Sequence, residues 1–359
     1  MKIGVGLDST LGLSFKDEVQ LSVQAARLGY TSIWTPEGLG LDAFQICSQR
    51  WNATLSVVDE GLTTGISVSP VNLRTPVSLA MSAGTLSSMS AGKFILGIGA
   101  GSIYKASERR RFGLPNISSL DVVRDYLVTV KELLRGGKVT HTGPYINLKD
   151  VRLGIEPPDT PVLLGALGPR MLRLAGTLAD GVALNWCTPR QIRWSRDRIA
   201  EGAEAAGRDA SQLTVMEYIR VCVDDDFAAA KRAFAKATLG YALGSSRLAA
   251  KTQKAGYRAH FERMGFAEPL AKLDQMQNMG ASPDELAKAA PDEMLQQVGY
   301  YGPAAGAANA FRRLSKGLDI AVVRVVAARP GIEPTLSVMK SCRPELVTGD
   351  SIQPACTDH

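Results

Sequence analysis

The feature of this chain that most constrains its fold is a regular alternation of short β-like runs with longer helical patterns. Strands that each lead into a helix are typical of α/β proteins, so strict alternation predicts a parallel sheet covered by helices. Eight such strands predict a closed (β/α)₈ TIM barrel, and an open doubly wound sheet is the alternative. The predicted strands are residues 3–7, 32–36, 63–69, 94–98, 162–167, 181–185, 213–223 and 320–327.

The length of the chain predicts one barrel with additions rather than a bare barrel. The 359 residues exceed the ~250 residues of a plain (β/α)₈ barrel. We place the barrel domain at residues 1–330, with a largely helical insertion at about 240–295 between strands seven and eight. The turn-rich segment 138–161 is predicted to be a long connection with room for a small hairpin. Residues 331–359 form a C-terminal tail without a clear pattern.

Composition and charge exclude several classes of protein. The formal net charge is +6, but the basic residues are scattered apart from three arginines at 109–111. Because nucleic-acid binding needs a clustered basic face on a recognised module, we expect no nucleic-acid partner, and the positive balance suits an anionic small molecule. The five cysteines and three histidines form no metal-ligand spacing and no disulfide framework. Without a stretch of ~20 apolar residues we expect no membrane span and a cytoplasmic protein.

If the chain forms a barrel, its chemistry belongs at the carboxyl ends of the strands. Gly99, Ala100 and Gly101 follow the fourth predicted strand. They do not complete a GxGxxG nucleotide motif, because Ser102 occupies the third glycine position. Glycines at a strand end allow a flat ring to approach the backbone closely, and a tight turn is the alternative.

A second glycine-containing segment joins the fifth predicted strand to a helix. Its residues Gly165, Ala166, Leu167 and Gly168 can expose backbone N–H groups beside the positive amino end of that helix. Arg170 can add a charge-assisted contact to an anion. This arrangement predicts a phosphate cradle, although a compact β–α turn fits the same residues.

Two further strand ends carry candidate functional residues. Glu37 follows the second strand, where a carboxylate can serve as a proton donor, a base or a hydrogen-bond partner of a cofactor, or can be a solvated loop acid. Ser67 and Val68 lie where the third strand ends. A bulge there would press a side chain against a cofactor ring, whereas an ordinary buried strand would not.

Two segments together resemble the luciferase-like flavin and deazaflavin oxidoreductases. The first comprises residues 90–101, SAGKFILGIGAG, and the second runs from Pro161 through the glycine segment to Asn185 and Trp186. Their order and spacing fit that family from about residue 1 to 330. Residues 65–70, GISVSP, are similar to the strand-three bulge of the branch that uses coenzyme F420, the methylenetetrahydromethanopterin reductase-like proteins.

The resemblance implies coenzyme F420 as the cofactor, with flavin mononucleotide as the alternative. It implies a cis peptide bond between Ser67 and Val68 behind the deazaflavin ring, a cofactor phosphate at residues 165–168, and Ala100 and Gly101 along the ring or ribityl chain. It also implies a homodimer. The predicted cofactor-binding residues are Glu37, Ser67, Val68, Gly99, Ala100, Gly101, Gly165, Ala166, Leu167, Gly168, Arg170 and Asn185.

Departures from the family pattern narrow the expected activity. Sugar-phosphate dehydrogenase members carry His where this chain has Gly38, and Glu where it has Ser102, while pterin-reductase members carry an acid at Gly6. We therefore expect a different reductase, which transfers hydride from the deazaflavin to a C=C, C=N or C=O carbon of a small-molecule substrate, with Glu37 handling the proton. A flavin-dependent monooxygenase and a non-catalytic binding barrel are the alternatives.

Overall fold

A computed structural model describes residues 1–243 and 256–349 of the chain. Eight parallel strands close into a barrel in the order β1-β2-β3-β4-β7-β8-β9-β11, with β11 returning to pair with β1. The predicted (β/α)₈ barrel is confirmed, and the open sheet is excluded. The strands are β1 Lys2–Gly6, β2 Ser32–Thr35, β3 Thr63–Pro70, β4 Phe94–Gly99, β5 Val139–Thr142, β6 Asn147–Val151, β7 Val162–Gly165, β8 Gly181–Asn185, β9 Thr214–Val223, β10 Gly299–Gly302 and β11 Ile320–Val325.

Helices follow the barrel strands and cover the outside of the sheet. They are α1 Phe15–Arg27, α2 Ala43–Thr54, α3 Pro76–Met89, α4 Ala106–Arg111, α5 Ser119–Leu134, α6 Pro169–Leu178, α7 Pro189–Ala205, α8 Phe227–Ala242, α9 Gly256–Phe261, α10 Ala267–Asn278, α11 Pro283–Ala289, α12 Asp292–Val298, α13 Ala304–Leu314, α14 Ile332–Ser341 and α15 Pro344–Thr348. In the described residues, no helix is long and apolar enough to cross a membrane.

Side-chain capping explains where several of these helices begin. Thr75 accepts a hydrogen bond from the amide of Ser78, and Pro76 occupies the first turn of α3. The last aspartate of an acidic run, Asp226, caps α8 by accepting from the Ala229 amide. These caps fix the short connections from β3 and β9 into their helices.

The interior of the barrel is a packed core rather than a pore. Trp34, Leu163, Met216, Tyr218 and Val322 fill it from four different strands. Such layers of inward-facing side chains are the usual filling of an eight-stranded barrel. The functional space therefore lies above this layer, at the carboxyl ends of the strands.

The connection between α5 and β7 holds the small hairpin that the sequence allows. Its strands β5 and β6 pair antiparallel, with an irregular register between Val139 and His141. Asp125 of α5 anchors the turn, because its Oδ2 accepts hydrogen bonds from the amides of Tyr145 and Ile146 at 2.8 and 2.9 Å.

The segment between the seventh and eighth barrel strands is helical where the structure describes it, as expected. Helices α9 to α12 occupy it, and residues 244–255 of the predicted insertion lie outside the described residues. The sequence pattern missed β10, which follows α12 and pairs parallel with the upper part of β9. This strand has four residues with a glycine at each end, so it lacks the alternation of apolar and polar residues by which a strand is predicted.

The C-terminal tail is more ordered than its pattern suggests. Its described part contains α14 and α15, and α14 is the helix that follows the eighth barrel strand. Val338, Met339 and Cys342 are fully buried in the main core, and the Tyr30 hydroxyl donates to the Met339 carbonyl at 2.8 Å. These helices are stabilised by burial against the barrel, and their sequence has no strong helical periodicity. The sequence pattern therefore gives only a weak indication of them.

Candidate active site at the barrel mouth

One half of the barrel mouth is built from glycines that surround Val68. The register of β3 against β4 shifts between Ile66 and Ser69, which confirms a bulge, and the Ser67–Val68 peptide bond is cis, as the resemblance implies. A Cβ atom on Gly99 would lie 2.8 Å from a Val68 methyl group, and one on Gly165 would lie 3.0 Å from the other. Only glycine leaves room for this half-buried side chain. We call Val68, Gly97, Gly99 and Gly165 the glycine face.

Glu37 braces this bulge from below. Its backbone N–H donates to the Val68 carbonyl at 3.3 Å, and its side chain accepts a short hydrogen bond from the Ser69 hydroxyl. Arg74 binds the same carboxylate, with Nε 3.0 Å from Oε1, and reaches Asp42 at 2.6 Å. The hydrogen bond to Glu37 raises the pKa of Arg74 above its ordinary value. Glu37 is thus a buried, ion-paired residue and not a solvated loop acid.

The loop from β7 to α6 supplies the features of a phosphate site. Gly168 is the N-cap of α6 without a side-chain hydrogen bond, so no side chain caps the amides of Arg170 and Met171. The exposed Arg170 lies in the first turn. Arg263, from the insertion, donates to the Leu167 carbonyl at 2.9 Å and brings a second positive charge to the loop. Charge and free amides at one helix start favour an anion.

Three further predicted residues lie near the glycine face and the loop from β7 to α6: Ala166, Ala100 and Gly101. The Ala166 amide is already bonded to the Ala183 carbonyl at 3.3 Å, so it is not available to a phosphate. Ala100 is half-buried, and Gly101 is exposed with φ at +55°, beside Pro70 at the end of β3. Gly101 therefore turns the chain away from the mouth, next to the bulge.

The opposite half of the mouth carries buried charges. Arg220 of β9 and Arg324 of β11 are register partners and are each 5% exposed. Arg324 forms an ion pair with Asp8, and its Cζ lies 4.8 Å from the centre of the Tyr218 ring. A Cβ on Gly6 would lie 3.1 Å from Arg324 Cδ, so any larger residue there would press on the arginine side chain. We call Arg220, Arg324 and Asp8 the arginine face.

Asn185 connects the arginine face to the insertion. Its Oδ1 accepts from Arg220 at 2.5 Å, and its Nδ2 donates to the Tyr257 hydroxyl at 2.7 Å. The next residue, Trp186, adopts a left-handed backbone with φ at +57° and places its ring centre 3.8 Å from Arg220 Cζ. At this distance the ring stabilises the guanidinium by a cation–π interaction. The amide of Asn185 therefore holds protein groups on both sides.

A cavity of about 440 Å³ opens beside the arginine face. Tyr241 of α8 lines it together with both buried arginines. This volume falls in the ~300–1,000 Å³ range of small-molecule sites. The remaining lining residues are Asp8, Thr10, Leu11, Ala229, Arg232, Ala233, Lys236, Ala237, Val325, Val326, Ala327 and Ala328.

A buried polar cluster lies behind Asn185. Burial raises the pKa of Glu217 to about 8, and its Oε1 accepts from the Cys187 amide at 2.6 Å while Oε2 has no partner in the described residues. Burial lowers the pKa of His260 to about 4, and its ring lies 3.7 Å from the Cys187 sulfur. Because burial also raises the pKa of the Cys187 thiol well above normal, this cluster is neutral at pH 7.

Sequence reasoning missed the four arginines that charge the mouth, Arg74, Arg220, Arg263 and Arg324. Arg324 interrupts an otherwise apolar strand near its carboxyl end, and Arg220 interrupts a mostly apolar strand that also carries Thr214 and Glu217. Since charged residues are rarely buried without a partner, that interruption is the signal that could have found them. Arg74 and Arg263 lie in a loop and an irregular helix and carry no comparable signal.

The closed barrel, the bulge packed against glycines and the buried arginines at the mouth define a β/α-barrel protein with a positively charged site at the carboxyl ends of its strands. The family model for luciferase-like monooxygenases matches residues 1–319. The chain belongs to this family, as the two segments that carry the resemblance indicated.

Individual relatives agree with the family assignment. A 5,10-methylenetetrahydromethanopterin reductase of Methanolobus tindarius is 30% identical over 62% of this chain and 68% of its own length. An F420-dependent glucose-6-phosphate dehydrogenase of Nakamurella multipartita is 26% identical over 78% of this chain and 81% of its own. The solved F420-dependent tetrahydromethanopterin reductase of Methanopyrus kandleri shares the fold, with a TM-score of 0.74, 20% identity and coverage of 94% and 97%.

Proposed function

We propose that this chain is a coenzyme F420-dependent oxidoreductase that works in the reductase direction on a small organic substrate. The observation that carries the proposal is the glycine face, where Val68 stands among three glycines whose missing Cβ atoms leave its side chain half-exposed at the mouth. The relatives named above, whose own names include F420 or a reductase of its class, support the same cofactor.

The residues present fit the two ends of a phosphorylated deazaflavin. The glycine face offers a flat apolar support for a tricyclic ring. The loop at residues 165–168 offers the start of α6, Arg170 and Arg263 for the phosphate. Two guanidinium groups and uncapped amides match a phosphodiester better than they match a neutral ligand.

When bound, the reduced deazaflavin supplies a hydride from carbon 5 and is oxidised, while a proton from water completes the reduction of the C=C, C=N or C=O bond. The protein contributes orientation: Val68 supports one side, and the cavity beside the arginine face receives the substrate on the other. Holding both reactants in one geometry removes much of the entropic barrier to a bimolecular step.

The contacts of Glu37 favour a positioning role over proton transfer. Both carboxylate oxygens accept hydrogen bonds, from Arg74 and from Ser69, and the side chain is buried under the bulge. A proton donor needs an oxygen that reaches the substrate. We therefore propose that Glu37 holds Val68 in place and that water supplies the proton.

Cofactor titration tests the proposal. Purified protein is titrated with F420 and, separately, with flavin mononucleotide, and binding is followed by the quenching of cofactor fluorescence. Our proposal expects F420 to bind at least about tenfold more tightly, because Arg170 and Arg263 beside the phosphate loop favour the glutamate carboxylates of its tail, which flavin mononucleotide lacks. Tighter binding of flavin mononucleotide would support the monooxygenase alternative, and no binding of either would support a non-catalytic barrel.

The homodimer remains a proposal from the family resemblance. Sedimentation velocity at several protein concentrations gives the subunit number directly. A monomer at all concentrations would remove the homodimer without affecting the cofactor proposal, since each described feature of the mouth comes from one chain.

A further inference from the structure

The charges of the arginine face do not cancel. Arg220 and Arg324 occupy matching positions on neighbouring strands, and Asp8 is the carboxylate paired with Arg324. Two positive charges and one negative charge leave a net charge of +1 in a region that water hardly reaches. Like charges side by side on a sheet are unfavourable, and a buried unpaired charge is more so.

Nothing else in the described residues neutralises Arg220. Its nearest polar partner is the neutral amide of Asn185, and its other neighbours are the rings of Trp186 and Tyr241, whose centres lie 3.8 and 5.1 Å from Cζ. Glu217 lies on the same strand, but burial raises the pKa of its carboxyl to about 8, so it is mostly protonated at neutral pH. Among residues 1–243 and 256–349, no side chain balances this charge.

Arg324 shows the same need for an acceptor. Its Nη1 atom is buried and has no hydrogen-bond partner among the described residues, although its Nη2 binds Asp8. Buried donors are nearly always satisfied, so an unpaired guanidinium nitrogen on a residue that lines a cavity indicates a missing acceptor. Arg232 also lines the cavity and adds positive charge, and Lys236 lines it while paired with Asp284.

Apart from Thr10 and Tyr241, the rest of the cavity lining is aliphatic. It comprises Leu11, Ala229, Ala233, Ala237, Val325, Val326, Ala327 and Ala328. A ligand that fits this lining has a hydrocarbon body and one anionic group. A carboxylate is planar and accepts paired hydrogen bonds from a guanidinium group, which suits two adjacent arginines.

We propose that this cavity is the substrate site and that the substrate is a small organic carboxylate whose apolar body carries the reducible bond. The proposal rests on the proposed function, because it assumes that the glycine face holds the cofactor ring. Val68 and Tyr218 pack in one interior cluster, and Arg324 lies over the Tyr218 ring. In this proposal the carboxylate binds at Arg220 and Arg324, and the reducible bond is directed towards the glycine face.

A matched pair of probes tests the proposal. trans-2-Hexenoate and its neutral amide, trans-2-hexenamide, are titrated calorimetrically into the wild-type protein with and without bound F420. We expect the acid to bind at least about tenfold more tightly than the amide, because two guanidinium groups recognise only the anion. The preference should vanish in Arg220→Met and weaken in Arg324→Lys, which keeps the charge beside Asp8 but loses the planar fork.

The surface variant Arg152→Gln is the matched control, because Arg152 pairs with the exposed Glu156 and is not among the residues that line the cavity. It should keep the full preference. Equal binding of acid and amide, or an equal loss in Arg152→Gln, would overturn the proposal. Competition between the acid and F420 would also overturn it, since the cavity would then hold the anionic tail of the cofactor. If the acid bound but F420 did not, the cofactor proposal would be wrong and the carboxylate site would still be supported.

Discussion

Around the barrel mouth, strands β3, β4 and β7 present glycines and Val68, whereas β9 and β11 present buried arginines. On the glycine face the backbone itself forms the surface, because any Cβ at Gly99 or Gly165 would collide with Val68. On the arginine face, side chains form the surface and bring charge to a place with little water. One half suits a flat ring and the other suits a small anion.

The difference shows how two faces of one barrel mouth can serve two different binding roles. A surface made of backbone and one valine is rigid and sterically specific. Substitutions on it therefore act through the volume of the side chain that they introduce. A surface made of paired arginines is specific by charge, and its effects depend on which partners compensate it. Substitutions that change side-chain volume on the glycine face should therefore change cofactor affinity. Substitutions that change protonation near the arginine face should change the pH dependence of stability.

The largest effect is expected from filling the glycine face. Gly99→Val places a side chain where a Cβ would already lie 2.8 Å from Val68, so Val68 must move or the ring must lift. Overpacking of this kind costs about 1–3 kcal/mol, which corresponds to a roughly 10- to 100-fold weaker affinity for F420. Fluorescence titration measures it.

The matched control for this substitution is Gly154→Ala, since a Cβ at Gly154 meets no atom within 4 Å. It should bind F420 as the wild type does. Unchanged F420 affinity in Gly99→Val would mean that the ring does not rest on this face.

A smaller effect is expected behind the arginine face, from Glu217. Its folded-state pKa of about 8 lies above its ordinary value of 4.5, so the folded protein holds a proton that the unfolded chain loses. The stability that this gives is present below pH 4.5 and disappears as the pH rises through 8. The free energy of unfolding should therefore fall by about 2 kcal/mol between pH 6.5 and 8.

Glu217→Gln removes this titration and keeps an acceptor for the Cys187 amide, so its urea-unfolding free energy should stay flat over the same interval. His260 has the opposite sign, because its pKa is lowered to about 4 and its contribution rises with pH only up to about 6.5. The window above pH 6.5 thus isolates Glu217. Parallel pH curves for wild type and variant would contradict a buried neutral carboxyl.

The smallest effect is expected from Glu37→Gln, on the support of the glycine face. The amide keeps one acceptor for Ser69 or Arg74 but loses the charge of the ion pair. We expect roughly tenfold weaker F420 binding, because Val68 is less firmly held, with an unchanged pH profile of the rate. Spectroscopic titration and initial rates over a range of pH provide the two measurements.

Asp42→Asn is the comparison for that variant, because Asp42 shares Arg74 with Glu37 but does not touch the bulge. It should lower stability with little change in F420 affinity. If Glu37→Gln instead abolished one limb of the pH profile, Glu37 would be the proton-transfer residue and the positioning role would be wrong.

Much of the fold could be read from local pattern. The alternation of strands and helices predicted the barrel, and the strand ends at Gly99, Gly165 and Asn185 lie at its mouth as expected. The bulge at Ser67 and Val68 was predicted by resemblance. Strand β10 and the helices beyond Pro330 were not found, since short or weakly periodic elements are stabilised by packing and leave little local signal.

By itself, the sequence determined the order of the elements and the glycines at the strand ends, because both depend on periodicity and on residue type at single positions; the contact with Val68 that makes glycine necessary there is tertiary. The tertiary structure alone decided which charges meet. Arg263 reaches the Leu167 carbonyl across 96 positions of the chain, and Arg220 stands beside Arg324 only because β9 and β11 close the barrel in that register. Ion pairing and burial depend on distance in space, which local pattern does not encode.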